Sequence, residues 1–213
     1  MSKKKESASM EKFRELVGEE YIARYAYHEI GHAFAWFVCH GDIDNIAEIN
    51  ILEGATKKKK YMSNLEYVNS LANYADGGFY KAFDEFCYAI GGGLCEAMYV
   101  DNYIEKIKNN KDYEFPVKGM EEDMESAITI LTLLGVKDAA EINAFITVAI
   151  KRLFVPFFLN AEKIMILANM VIKKNKPVLY QKDILDAFDM NKFKDERKEV
   201  MIEFVKMVNG NKE

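Results

Sequence analysis

Apolar positions recur every three or four residues from 11 to 40: Phe13, Leu16, Val17, Ile22, Tyr25, Ala26, Ala33, Trp36 and Phe37. That is the period of one helix face, so helix is expected over 11–40, with Gly18 a point of division and Gly41 a stop. Residues 46–52 read Ile-Ala-Glu-Ile-Asn-Ile-Leu, short, alternating and β-branched, which predicts a strand. The lysine run 57–60 predicts a solvated loop or hairpin tip. Helical spacing returns over 79–108 through Phe79, Phe83, Phe86, Cys87, Ile90, Leu94, Met98 and Tyr99. Gly91, Gly92 and Gly93 interrupt that pattern and call for a reason, either close approach of another backbone or a break between helices. A loop is expected over 109–118. Further helices are expected over 119–134, 138–158, 160–174 and 181–188, with an amphipathic segment over 192–208. The reading is a mainly α fold with a small β element. Residues 1–10 are expected to be a disordered basic tail and residues 11–213 a single domain.

Composition narrows the function. The 213 residues are 50% hydrophobic, with a formal charge of −5, too acidic for sequence-independent binding to nucleic acid or anionic lipid. Lys151 and Arg152 divide the longest apolar stretches, so no uninterrupted apolar run approaches the roughly 20 residues that span a bilayer. No apolar stretch of a secretion signal follows Lys3, Lys4 and Lys5. Cys39, Cys87 and Cys95 are an odd set without metal-ligand spacing, which fits reduced core thiols in a cytoplasmic protein. No phosphate-binding GxxxxGK[ST] pattern occurs.

Residues 28–32 read His-Glu-Ile-Gly-His, the HExxH pattern, and use two of the chain's three histidines. Chance would produce it on the order of 0.004 times in a chain of this composition. On a helix, positions i and i+4 lie about 40° apart and roughly 6 Å along the axis, so His28 and His32 can reach one zinc ion. Glu29 falls beside that ion, placed to act as general base on a water. A catalytic zinc needs a third protein ligand and an open fourth position. An HExxHxxGxxH extension fails, because Ala35 and Val38 occupy its later positions. His40 is read as a helix C-terminal residue. The third ligand must then be a distant carboxylate.

The residues Tyr27-His28-Glu29-Ile30-Gly31-His32-Ala33 resemble the YHExGHA signature of the peptidase domain of FtsH-type, ATP-dependent zinc metalloproteases. Gly91-Gly92-Gly93-Leu94-Cys95-Glu96 is similar to that family's GGRxAE segment. Gly119 to Ala127 is similar to its GxxxDLxxA segment. The resemblance spans roughly residues 21–188. Gly93 stands where the family has arginine and Ala97 where it has a second glutamate. An insertion around 62–81 lengthens the interval between His32 and Asp123.

The resemblance implies a zincin-like fold, one Zn2+ held by His28, His32 and Asp123, and Glu29 as catalytic base. Glu96 is expected to fix a zinc histidine, with direct ligation the alternative. The strand residues Ile46, Ala47, Glu48, Ile49, Asn50 and Ile51 are expected to pair with an extended protein or peptide substrate. The resemblance covers neither an ATPase module nor membrane segments, so any ATPase is expected as a separate partner, or self-association in its place. The alternative function is an inactive peptidase-like binding or regulatory module with a zinc-stabilised fold.

Overall fold

The computed structural model describes residues 3–40, 46–52, 55–58, 78–101 and 120–187. Among them the order is α1 (Lys3–Val17), α2 (Glu19–His40), β1 (Ile46–Asn50), β2 (Ala55–Lys58), α3 (Gly78–Tyr99), α4 (Glu121–Leu133), α5 (Ala139–Leu159), α6 (Ala161–Ile172), β3 (Val178–Tyr180) and α7 (Gln181–Ala187). The fold is mainly helical with one small antiparallel sheet, as the hydrophobic pattern leads one to expect. The expected helix at 102–108, the loop at 109–118, most of the insertion at 62–81 and the segment at 192–208 lie outside the described residues.

The first ten residues differ from expectation. Helix α1 begins at Lys3, and Met10 is fully buried. Lysine, glutamate, alanine and methionine all favour helix, and buried Met10 anchors the helix to the core. Gly18, at φ +82, ends the helix, and its N–H donates to the Arg14 carbonyl at 2.9 Å. Arg14 ties α1 to the C-terminal end of α6, donating to the Ile172 carbonyl at 2.8 Å and to Asn175 Oδ1 at 2.7 Å.

Helix α2 runs through the core and packs most extensively on α3. The glycines explain that contact. A Cβ on Gly31 would lie 2.5 Å from the Gly91 carbonyl oxygen, and one on Gly91 would lie 2.9 Å from the Gly31 carbonyl oxygen. The two backbones therefore touch, and any side chain at either position would push them apart. Helix α3 passes through Gly91, Gly92 and Gly93 unbroken, so close approach is the reason for the run.

The sheet has the order β2-β1-β3, with both pairings antiparallel. Glu48, Ile49 and Asn50 face Lys57, Thr56 and Ala55 on one edge and Tyr180, Leu179 and Val178 on the other. Ile51 donates to the Pro177 carbonyl at 2.9 Å. This corrects the expected substrate strand of Ile46, Ala47, Glu48, Ile49, Asn50 and Ile51. Its ladder groups over 48–50 are taken on both sides, so an extended peptide has no free edge at those three residues. The side chains of Ile46, Ile49 and Ile51 are core. Part of the lysine run belongs to β2 rather than to a loop.

Helix α5 starts from Asp138, whose side chain accepts from the N–H groups of Ala140 and Glu141. Despite Lys151 and Arg152, it is by length and composition apolar enough to cross a membrane, though most of it is not buried. Arg152 turns inward to pair with Asp84 of α3 at 2.6 Å.

Candidate metal centre

His28 and His32 stand one turn apart on α2, as i, i+4 spacing dictates. Asp123 lies in the first turn of α4, beside the unpaired N–H groups that favour an anionic side chain. The chain's folding brings the three together. His28 Nε2 is 3.1 Å from His32 Nε2 and 2.9 Å from Asp123 Oδ2, and His32 Nε2 is 3.4 Å from that oxygen. Ligands at zinc-like bond lengths in a tetrahedron sit about 3.3 Å from one another. Among the described residues this group of three could hold a metal ion.

The outward ring nitrogens support the same arrangement. His32 Nδ1 is 2.8 Å from the Tyr88 carbonyl oxygen, which can only accept, so Nδ1 carries the proton. His28 Nδ1 is 3.3 Å from Glu96 Oε2, again an acceptor. Both Nε2 atoms therefore face one spot, alongside a carboxylate oxygen, and with Nδ1 holding the ring proton each can offer a lone pair there. Three such acceptors crowd together favourably only around a positive charge. A proton on His28 Nε2, shared with Asp123, is the alternative source of that charge to a metal ion: burial opposes it, but hydrogen bonds to Asp123 and Glu96 outweigh burial and push this imidazole up to about 10. Burial would raise the Asp123 carboxyl, yet its bonds to His28 and His32 win and hold it well below the usual carboxylate range.

Space for an ion is made by Gly92. A Cβ there would lie 2.5 Å from His32 Nε2 and 2.8 Å from His28 Nε2. Gly93 serves differently: its missing side chain is replaced by Met120, a 2% exposed residue just ahead of α4. The glycine run thus seats α2, clears the ring nitrogens and receives the residue that leads into Asp123. Glu29 is buried in α2, and its charge acts on His28. The Asp123 side chain is 25% exposed against 8% for His32, so the group opens to solvent on the α4 side.

The structure thus places His28, His32 and Asp123 together, with Glu96 behind His28 rather than among the three. It places the β1 residues in the sheet interior. Sequence reasoning missed Gly92's steric role, the Tyr88 carbonyl, and Arg24 with Asp101 behind Glu96. Arg24 carried a usable signal, since it lies four residues before His28 on the same helix face. Comparison with family models, with curated proteins and with solved structures gives no match.

Proposed function

We propose that the chain is a zinc metalloendopeptidase of the FtsH-type peptidase class with a zincin-like fold. The observation that carries this reading is the triangle of His28 Nε2, His32 Nε2 and Asp123 Oδ2, with both imidazole tautomers set by outside acceptors and a buried glutamate next in sequence. Two imidazoles and one carboxylate are a donor set that suits Zn2+ and leaves a fourth position free. Bound there, zinc would supply Lewis-acid polarisation of a scissile carbonyl and would acidify a water.

The chain's own residues do the rest. Glu96 and the Tyr88 carbonyl keep the His28 and His32 rings in register through their Nδ1 protons. The Glu29 carboxylate receives a proton from the attacking water and returns it to the leaving amine. Burial in α2 keeps that carboxylate from swinging into solvent.

The test is degradation of an unfolded casein-like protein with and without a chelator. Wild-type protein is expected to cut only with metal. Glu29→Gln is expected to retain zinc and lose about 100-fold or more in cleavage rate. Equal rates for Glu29→Gln and wild type would overturn the assignment of Glu29. The second reading, a non-catalytic module with a zinc-stabilised fold, draws on the double pairing of β1 over 48–50, which occupies the middle of the expected substrate strand. It predicts one bound zinc and no cleavage by either protein.

A further inference from the structure

Behind His28 the polar contacts continue outward through three more residues. The two oxygens of Glu96 are divided: Oε2 faces His28 Nδ1 at 3.3 Å, and Oε1 accepts from Arg24 Nη1 at 2.7 Å. Arg24 is itself held by Asp101, with Nη2 donating to Oδ1 at 2.7 Å and Nη1 to Oδ2 at 3.2 Å. Asp101 is fixed in turn where the chain turns past the end of α3. There the N–H groups of Val100 and Asp101 donate to the Glu96 carbonyl at 2.8 and 3.4 Å. Glu20 also approaches Arg24, at 3.6 Å, but its side chain is 76% exposed and contributes little. Glu96 is mostly buried, its side chain 12% exposed.

We infer that Arg24 is a positioning residue of the metal centre. Anchored by the fork of Asp101, it fixes the Glu96 carboxylate so that Oε2 stays on His28 Nδ1 and the His28 Nε2 lone pair stays aimed at the ion. This inference rests on the metal-centre reading above. Arginine suits the task because its planar guanidinium can bridge two carboxylates at once, which a lysine ammonium does not match. An ordinary surface ion pair would not share its acid with a buried imidazole. Arg24, His28 and His32 follow one another at four-residue intervals along α2, so a single helix carries the anchor and both ligands.

The experiment is zinc titration against a competing chelator, using zinc alone as probe, on wild type, Arg24→Gln, Arg24→Lys, Glu96→Gln and the Arg24→Gln/Glu96→Gln double variant. Circular dichroism checks the fold of each. Loss of an outer partner typically weakens metal affinity 10–100-fold, so Glu96→Gln is expected within that range and Arg24→Gln at about tenfold. Arg24→Lys should recover part of the loss. On the Glu96→Gln background the Arg24→Gln change should cost nothing further, because its route to the metal is already cut. Asp101→Asn, which loosens Arg24 without removing it, should weaken zinc in the same direction by a smaller factor. It keeps the test available if Arg24→Gln does not fold. Unchanged affinity in Arg24→Gln overturns the inference, as does a full penalty that persists on the Glu96→Gln background. Wild-type protein that binds no zinc removes the metal centre itself, and this inference with it.

Discussion

Helices α2 and α5 are nearly equal in length, 22 and 21 residues, yet they are used in opposite ways. Helix α2 buries twelve residues, Glu29 and His32 among them. Helix α5 is more apolar but buries only Ala149, Leu153, Pro156 and Phe157. Its outer side shows Val148, Val155, Phe158 and Leu159, joined by Met165 and Ile166 of α6. Apolar composition therefore does not decide which helix is central. Small residues decide it: Gly31 meets Gly91, and the close seating lets α3 enclose the polar groups of α2. His28 and His32 tolerate burial because their Nδ1 atoms are hydrogen-bonded and their Nε2 atoms converge on one point.

If that contrast holds, substitutions at the α2–α3 contact should be far costlier than substitutions on α5. The largest effect is expected for Gly92→Ala. A methyl 2.5–2.8 Å from two ring nitrogens displaces both rings, so zinc affinity in a chelator competition should fall more than about 100-fold, beyond the usual loss for an outer partner. Next comes Gly31→Ala, which forces the backbones apart and should lower unfolding free energy in urea by about 1–3 kcal/mol.

A smaller effect is expected from pH on the chelated protein. His28 is pushed up from 6.5 to about 10, so its contribution is complete below pH 6.5 and fades as pH rises through 10. Asp123 is lowered from 3.8, so its contribution is present above 3.8 and fades in stronger acid. Thermal stability should therefore decline between pH 6.5 and 10, and His28→Gln should flatten that decline. The smallest effect is expected for Val155→Thr on the outer face of α5, within about 0.5 kcal/mol in the same urea measurement. A loss there as large as that of Gly31→Ala would dissolve the contrast.

Much of this was legible in the chain because it is local. The HExxH spacing needs only a helix to place His28 and His32, and the apolar period marks α2, the start of α3, and α4 to α7 to within a few residues, while α3 ends at Tyr99, well before the expected 108. Asp123 was reachable through its resemblance to a segment, not through any property of a lone aspartate. What was not legible depends on contacts distant in sequence. Strand β3 has three residues, and only pairing with β1 makes it a strand, so nothing in Val178, Leu179 and Tyr180 announced that β1 would be enclosed. Arg24 looks like a solvated helix charge until Glu96 and Asp101 arrive beside it. Lys3, Lys4 and Lys5 read as a tail by their charge, whereas helix propensity and the burial of Met10, a contact distant in sequence, extend α1 back to Lys3.

The most direct measurement is X-ray absorption at the zinc edge on purified protein, with wild type and Asp123→Ala compared. One zinc per chain is expected, with two imidazoles and oxygen ligands at about 2.0–2.2 Å, and with one protein oxygen lost in Asp123→Ala. A sulfur ligand, a spectrum untouched by Asp123→Ala, or no zinc at all would contradict the centre.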